Sequence, residues 1–370
     1  MRLELSQVLR VPHRWQGGLR KSAQAKAIRG SNSIEGYLVS EEDAAAAVDD
    51  EPALSTDQGT WAEIIGYRRV LTYVLRVGTV EGFKFDEGIL KSMHFMLLEH
   101  DLSKDPGNYR TGPIYVMSEK GSVVYTAPEA KSISTLIATL VEQVNTPQVH
   151  PMIGAAMAHL NAVMIHPFRD GNGRMGRALQ TLILAMDHVL EPTFSSIEEW
   201  LGANTDDYYS LLAVTGAGEW NPQRSTKLWI TFILRAHHMQ AQTLRCRFNE
   251  ASQHWASIDE ILARHRLPER IGDLLFDAGL GFRVTRPRYL KHVDVDERQA
   301  TRDLTRLTEL ELLVAHGHTK GRYYTAGPGL LAVREQLRQD RQPVIDPYPE
   351  LMSEVRAFNY ILPKPAESLF

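Results

Sequence analysis

The chain has 370 residues, of which 43% are hydrophobic and 23% charged. These proportions exclude a disordered chain and, at this length, predict two or three packed units. The formal net charge of -4 gives no support for non-specific nucleic-acid binding by the whole molecule. A single cysteine, Cys246, excludes an intramolecular disulfide. Because no apolar run could span a bilayer and residues 1–10 lack the apolar stretch of a signal peptide, we expect a cytoplasmic protein without a membrane partner.

The first two thirds of the chain are predicted to be mainly helical. Residues 1–30 are basic and contain the breakers Pro12 and Gly17-Gly18, so we expect them to be irregular. Apolar residues at helical spacing then predict helices over 61–77, 86–99, 130–145, 152–165, 174–189, 195–213 and 225–248.

One segment departs from this helical pattern. The apolar residues Ile114, Tyr115, Val116 and Met117 are followed by a polar turn, Ser118 to Gly121, and then by Val123, Val124 and Tyr125. Two short apolar runs flanking a glycine-containing turn are typical of a β-hairpin. We therefore expect a hairpin over residues 113–126, inside an otherwise helical region.

The pattern changes again near residue 250. Between Asp296 and Leu310, Arg298, Arg302 and Arg306 share one face of a predicted helix, and apolar residues share another. A second hairpin follows, with Lys320 and Arg322 at its tip. This order is typical of a winged helix-turn-helix. The predicted domains are an N-terminal region (1–59), a helical core (60–250), a winged helix (255–335) and a C-terminal tail (336–370).

The loop at residues 166–177 carries the strongest chemical signal. It reads His-Pro-Phe-Arg-Asp-Gly-Asn-Gly-Arg-Met-Gly-Arg and opens a helix. Free backbone N–H groups at a helix N-terminus bind anions, and Arg174 and Arg177 lie one turn apart beside them. Asp170 offers the hard oxygen ligand that Mg²⁺ takes alongside phosphates. His166, with an ordinary imidazole pKa of about 6.5, suits a proton acceptor. The loop therefore predicts a phosphate site with a general base.

This loop resembles the signature of the Fic family, His-x-Phe-x-Asp/Glu-Gly-Asn-Gly-Arg-x-x-Arg, and matches it at every defined position. The resemblance continues through Gly107 to Thr111, the 113–126 hairpin and Ala127-Pro128, which resemble the family's "flap". It covers roughly residues 60–215. It implies a mainly α fold, with a Fic-type helical core and a β-hairpin flap, to which the C-terminal winged helix is added.

The resemblance also implies an activity. Most Fic proteins transfer AMP from ATP to a Ser, Thr or Tyr hydroxyl of a protein and release pyrophosphate. In this chain His166 would accept the hydroxyl proton and Asp170 would bind Mg²⁺. The phosphates would be held by Gly171, Asn172, Gly173, Arg174 and Arg177. The flap residues Ile114, Tyr115, Val116 and Met117 would align the target segment by strand pairing.

A second motif, Ser31-Asn32-Ser33-Ile34-Glu35-Gly36, resembles the family's inhibitory motif. Ser31 and Glu35 would share one face of a helix that Gly36 ends. In relatives this glutamate pairs with the second motif arginine, here Arg177, and denies it to the γ-phosphate of ATP. The alternative is an ordinary serine N-cap followed by an exposed glutamate.

Several alternatives stay open at this stage. Some Fic proteins remove AMP or transfer UMP, phosphate or phosphocholine, and the chain could instead be a DNA-binding regulator with a nucleotide-sensing core. The intact His166 argues against a pure sensor. The winged helix carries acidic residues among its arginines, so it fits either DNA or protein contacts. Other expected partners are a protein substrate with an exposed hydroxyl, the chain itself as substrate, and a second copy in a homodimer. Tyr208 and Tyr209 lie in a segment that resembles the adenine-proximal one, or they are core residues.

Overall fold

The structure is a computed structural model that describes residues 1–117, 123–318 and 321–359. Most described residues are helical, as the composition and periodicity predict. The helices are α1 (Arg2–Arg10), α2 (Gln16–Ile34), α3 (Glu41–Asp49), α4 (Gln58–Val77), α5 (Glu87–Leu98), α6 (Ile133–Asn145), α7 (Pro151–Ile165), α8 (Asn172–Met186), α9 (Glu198–Ala203), α10 (Thr205–Gly216), α11 (Lys227–His265), α12 (Gly272–Leu280), α13 (Arg286–His292), α14 (Glu297–Glu309), α15 (Pro328–Gln339) and α16 (Leu351–Asn359). None of these helices is both long and apolar enough to cross a membrane.

Three hydrophobic clusters hold the helices together. The first lies among α4 to α8 and includes Ile64, Leu97 and Leu179. Trp229, near the start of α11, belongs to a cluster with α7, α9, α10 and α16. Trp255, near the end of α11, belongs to another cluster with α1, α2 and the C-terminal helices. The 39-residue helix α11 therefore runs continuously through residues 250–255, where the sequence pattern placed a domain boundary.

The prediction that residues 1–30 are irregular is wrong. Helix α1 covers Arg2–Arg10, and α2 runs through Gly17-Gly18 to Ile34. Packing overrides the weak helix propensity of the glycines, because Leu19 and Ile28 of α2 are buried in two of the hydrophobic clusters. Glu35 caps the C-terminal end of α2, and Gly36 follows with a positive φ of 82°. The predicted helix over Ser31 and its end at Gly36 are confirmed.

Most other predicted helices are present with shifted ends. The exception is 195–213, which forms two helices, α9 and α10, separated at Asn204. There the Asn204 side-chain amide donates to the carbonyl of Trp200, 2.7 Å away, and its backbone leaves the helical region. The long predicted helix at 225–248 extends to His265 as α11.

Two antiparallel hairpins complete the fold of the described residues. Strand β1 (Tyr115–Met117) pairs with β2 (Val123–Thr126), and β3 (Leu313–His316) pairs with β4 (Tyr323–Ala326). The turn predicted at 118–121 and the wing-tip residue Lys320 lie outside the described residues. An additional antiparallel bridge joins Val284, just before α13, to Tyr324 of β4. Helices α13 and α14 lie between this bridge and β3 in the sequence.

Helix α2 crosses α9 at a close glycine contact, which predicts a large stability effect. A Cβ added to Gly30 would overlap the backbone carbonyl of Glu198, which cannot rotate away. We expect Gly30→Ala to lower the free energy of unfolding by about 1–3 kcal/mol. The matched control is Gly17→Ala in the same helix, where nothing lies within 4 Å of the added Cβ. Urea denaturation measures the free energy of unfolding of both variants. Equal values for the two would contradict the close contact between Gly30 of α2 and the backbone of Glu198.

Candidate active site

Two residues in left-handed backbone conformation shape the loop between α7 and α8. His166 caps the end of α7 with φ 50° and ψ 58°. Gly171 precedes α8 with φ 74°, and a Cβ there would lie 2.8 Å from the Leu97 side chain. Only glycine meets both demands, the positive φ and the close approach. The chain thus reverses sharply, which places His166 and the N-terminus of α8 at the two ends of one short loop.

The position of the His166 proton follows from its neighbour. Nδ1 lies 3.2 Å from the carbonyl oxygen of Val163. Because a carbonyl only accepts hydrogen bonds, Nδ1 carries the proton and Nε2 keeps a free lone pair. Burial lowers the pKa of His166 below its ordinary value. At neutral pH this imidazole is therefore an unprotonated base at Nε2.

Arg110 fixes the backbone on which His166 sits. Its Nε donates to the His166 carbonyl at 2.7 Å. Its two terminal nitrogens donate to the carbonyls of Gly112 and Pro128, at 2.7 and 2.6 Å, on either side of the β1–β2 hairpin. One buried guanidinium thus ties the loop between α7 and α8 to both ends of the β1–β2 hairpin. The Gly107–Thr111 segment contains this arginine, but nothing in the sequence pattern shows that it reaches His166.

His94 of α5 supports the middle of the same loop. The backbone N–H of Gly107 donates to its Nδ1 at 2.8 Å, so Nε2 carries the proton and donates to the Asp170 carbonyl at 3.0 Å. The imidazole stacks on Phe168, with ring centroids 3.7 Å apart. Asn172 also stabilises the loop. Its side-chain amide accepts from the Phe168 N–H and donates to the Phe168 carbonyl, both at 3.0 Å. The Gly171 N–H donates to Asp170 Oδ1 at 2.6 Å, so the backbone N–H groups of Asn172 and Gly173 are those of the turn that can meet an anion directly.

The two arginines of the loop motif are almost completely buried, each with 1% of its surface exposed. Arg174 Nη1 donates to Glu63 of α4 at 2.6 Å. Buried guanidinium groups need such partners, because an isolated charge in the interior is costly. Glu63 lies on the buried face of α4 with Tyr67 and Val70. An acid on an apolar helical face is a sequence signal for a buried, paired carboxylate, although it does not identify Arg174 as the partner.

Arg177 is paired with the N-terminal motif. Its Nη2 donates to Glu35 Oε1 at 2.7 Å and to the Ser31 carbonyl at 2.9 Å, and its Nε donates to Ser31 Oγ at 2.8 Å. Its Nη1 has no hydrogen-bond partner among the described residues. A Cβ on Gly173 would lie 3.3 Å from this Nη1 and would also overlap the Glu35 carboxylate. Arg177 and Glu35 therefore converge beside Gly173, at the N-terminus of α8.

Lys104 lies between the two acids of the site. Its ammonium is 2.8 Å from Asp170 Oδ2 and 2.7 Å from Glu63 Oε1. Burial opposes ionisation of Glu63, but Arg174 and Lys104 outweigh it and lower the pKa of Glu63 to about 2. Burial likewise disfavours the carboxylate of Asp170, and Lys104 overcomes this and lowers its pKa. Sequence reasoning missed Lys104, since a lysine in a short turn carries no signal of its own.

The remaining predicted residues fall in two places. Ile114 precedes β1, and Tyr115, Val116 and Met117 form it. Within the described residues β1 pairs with β2 alone, so its other edge is open to a further strand. Tyr208 is a core residue whose hydroxyl lies 3.0 Å from His159 Nε2. Tyr209 donates to the carbonyl of Ile34 at 2.7 Å and so contacts the end of α2.

Comparison with known proteins agrees with this geometry. Residues 84–184 match the Fic/DOC family model. The chain is 29% identical over 221 residues to "Protein adenylyltransferase Fic" of Nematostella vectensis, a match that covers 58% of this chain and 47% of that protein. It is 32% identical over 133 residues to "Protein adenylyltransferase fic-1" of Caenorhabditis briggsae, covering 35% of this chain and 24% of that protein. The chain thus spans less than half the length of these curated relatives.

Solved structures show the same fold. A Fic family protein from Desulfovibrio desulfuricans G20 superposes with a TM-score of 0.53 at 23% identity, over 84% of this chain and 88% of that chain. Fic-1 from C. elegans superposes with a TM-score of 0.51 at 21% identity, over 66% of this chain and 70% of that chain. The helical core with its β-hairpin therefore has a Fic fold, and the segment that matches the Fic/DOC family model, residues 84–184, lies within it.

Proposed function

We propose that the chain is an autoinhibited protein adenylyltransferase, which transfers AMP from ATP to a Ser, Thr or Tyr hydroxyl of a protein, this chain included. The observation that carries the proposal is the free Nε2 of His166 beside a helix N-terminus that also holds two buried arginines. A base, an anion-binding helix end and paired guanidinium groups are the parts that nucleotidyl transfer needs.

The triphosphate would lie along the N-terminus of α8. Backbone N–H groups of Asn172 and Gly173 would donate to phosphate oxygens, and that of Gly171 would join them once it releases Asp170 Oδ1. Arg174 would neutralise charge on the phosphates. Arg177 would reach the γ-phosphate with its Nη1, which has no hydrogen-bond partner in the part of the chain that the structure describes. Arg174 and Arg177 are held in place by Glu63 and Ser31 before the substrate arrives, so the main rearrangement on binding would be the opening of the Arg177–Glu35 pair.

The reaction is a single displacement at the α-phosphorus. The target hydroxyl oxygen forms a bond to that phosphorus, and the bond from the phosphorus to the oxygen bridging to the β-phosphate breaks. The hydroxyl proton passes to Nε2 of His166, and the bonding electrons leave with pyrophosphate. The free edge of β1 would hold the target segment by strand pairing, which brings its hydroxyl to His166.

A magnesium ion at this site would take most of its ligands from the nucleotide. Among the described residues, no group of three or more His, Cys, Asp or Glu side chains forms a ready-made metal site. Asp170 is the carboxylate that the loop motif offers, and Mg²⁺ is commonly held by one or two carboxylates plus substrate phosphates. When bound, the ion would neutralise charge on the phosphates, with Asp170 as its protein ligand.

The inhibitory role of Glu35 is part of the proposal. Its carboxylate pairs with Arg177 at 2.7 Å and lies against Gly173, where the γ-phosphate would bind. While that pair is intact, Arg177 is engaged and a second negative group would meet repulsion from Glu35. Binding of ATP in the productive position would then require the pair to open.

The position of the label in ATP tests the function. The Glu35→Gly variant is incubated with Mg²⁺ and with ATP labelled at either the α- or the γ-phosphate, and protein-bound label is counted. We expect the α-label on protein and the γ-label in released pyrophosphate. Label that reaches protein only from the γ-position would assign phosphoryl transfer instead, and absence of both would remove the proposal.

A second candidate role concerns the C-terminal unit. We infer that the Val284 bridge, α13, α14, β3 and β4 form a winged helix that binds duplex DNA through α14. Arg298 and Arg302 support this, because both are exposed and neither forms an ion pair within the described parts of the chain. The side chains of Thr301 and Thr305 share that exposed face. Arginine and threonine on one helix face suit contacts with phosphates and base edges in the major groove.

DNA binding predicts a specific effect of Arg302. We expect Arg302→Ala to weaken binding to duplex DNA about tenfold or more. The slope of log affinity against log salt concentration should become shallower by about one, because about one fewer counterion is released. The control is Arg245→Ala, which removes an exposed arginine of α11. Fluorescence anisotropy at several salt concentrations measures both variants. Equal affinities for the wild type and Arg302→Ala would indicate a role in protein contacts.

A further inference from the structure

We propose that Lys104 is a built-in counter-cation that occupies the coordinating oxygen of Asp170, so that a divalent ion binds there only by displacing it. The inference rests on the proposed function in one respect, since it takes Asp170 as the metal ligand. It assigns to Lys104 a positioning role that the family motif does not contain.

The contacts form a chain of alternating charges. Asp170 Oδ2 lies 2.8 Å from Lys104 Nζ, which lies 2.7 Å from Glu63 Oε1, and Glu63 Oε2 lies 2.6 Å from Arg174 Nη1. The other oxygen of Asp170 accepts the backbone N–H of Gly171 at 2.6 Å. Both oxygens of the metal-type carboxylate are therefore engaged by the protein itself.

A well-defined turn places Lys104 beside Asp170. The lysine ends the short 3₁₀ helix Leu102–Lys104, and the following residue, Asp105, has a left-handed backbone with φ 53°. Arg169 of the catalytic loop donates to the Ser103 carbonyl at 3.2 Å, which ties the turn to the loop. The ammonium is thus held over Asp170 by local structure as well as by its charge.

The other contacts of Glu63 explain why the Lys104 ammonium can pair with two carboxylates. Tyr37 donates its hydroxyl to Glu63 at 3.2 Å, and His100 Nε2 lies 3.2 Å from the same carboxylate. Arg174 balances the charge of Glu63, so Lys104 is the cation that balances Asp170. When a divalent ion takes Asp170, Lys104 keeps Glu63 as a partner and needs no new one.

Removal of the lysine charge then has an unusual consequence. Without the ammonium, Asp170 and Glu63 face the same space as two carboxylates, which is the ligand set that hard divalent cations prefer. Competition for Asp170 Oδ2 and repulsion of the incoming ion both disappear. A lysine-to-neutral substitution should therefore increase the affinity for a divalent ion.

The test uses the full chain without nucleotide and measures free Mn²⁺ by electron paramagnetic resonance. We expect Lys104→Met to bind Mn²⁺ about tenfold more tightly than the wild type. Lys104→Arg, which keeps the charge, should stay near the wild type, and the double variant Lys104→Met/Asp170→Asn should lose the gain. Lys104→Gln, which keeps a hydrogen-bond donor, provides a second neutral variant if Lys104→Met unfolds, and thermal melting identifies that case.

Two results would overturn the proposal: unchanged or weaker Mn²⁺ binding in a folded neutral variant, or a gain that persists in the double variant. Because the assay contains no ATP, it does not depend on AMP transfer. A chain that fails to transfer AMP can still show the gain, and a chain without the gain can still transfer AMP.

Discussion

Glu35→Gly is expected to raise AMP transfer by about tenfold to a hundredfold, because charge-assisted hydrogen bonds to a buried group contribute about 1.5–3 kcal/mol. The substitution removes one of the two hydrogen bonds of Arg177 Nη2 and the carboxylate that lies against Gly173. Ser31 keeps its two hydrogen bonds to Arg177, so the guanidinium stays in place. Label transfer from α-labelled ATP at limiting nucleotide measures the change.

The matched control for this variant is Glu81→Gly. Glu81 is exposed in the loop after α4, and glycine follows it in the sequence as it follows Glu35. This control should transfer AMP at the wild-type rate. If Glu35→Gly also showed the wild-type rate, the carboxylate would be a structural cap of α2 with no inhibitory effect.

His166→Asn, made in the Glu35→Gly background, should reduce transfer by about 10²–10⁴-fold, the usual contribution of a general base. Asparagine is the suitable replacement because it tolerates the left-handed backbone at φ 50°. Nucleotide affinity should change little, since the phosphates would contact α8 and its arginines. Equilibrium binding of ATP beside the rate of label transfer separates the two effects.

The lowered pKa of His166 adds a pH dependence to this prediction. Its base form should predominate at pH 7, so the transfer rate should fall only as pH drops through a value below the ordinary 6.5 or so. The control is His238→Asn, which changes an exposed histidine of α11. A full transfer rate in His166→Asn would show that another group accepts the proton.

The local pattern predicted the parts of the site that lie close together in sequence. The loop at 166–177 combines a turn, a helix start and charged residues within one segment, so its chemistry could be inferred without the fold. The hairpin at 113–126 and the end of α2 at Gly36 are equally local. Helical periodicity predicted most of the core for the same reason.

The supporting residues could not be predicted in this way, because each acts across a long sequence separation. Lys104 meets Asp170, and Glu63 meets Arg174, only after α4, α5 and α8 pack together. His94 contacts the Asp170 carbonyl through a ring nitrogen that no pattern identifies. Gly17 and Gly18 were misread as helix breakers, since the packing that keeps α2 helical involves residues near 276 and 277.

A crystal structure of the Glu35→Gly variant with ATP and Mg²⁺ would show directly where the nucleotide binds. We expect the triphosphate at the N-terminus of α8, with the γ-phosphate on Arg177 and the α-phosphorus facing His166 Nε2. A triphosphate bound elsewhere, or an imidazole whose Nε2 points away from the α-phosphorus, would contradict this expectation.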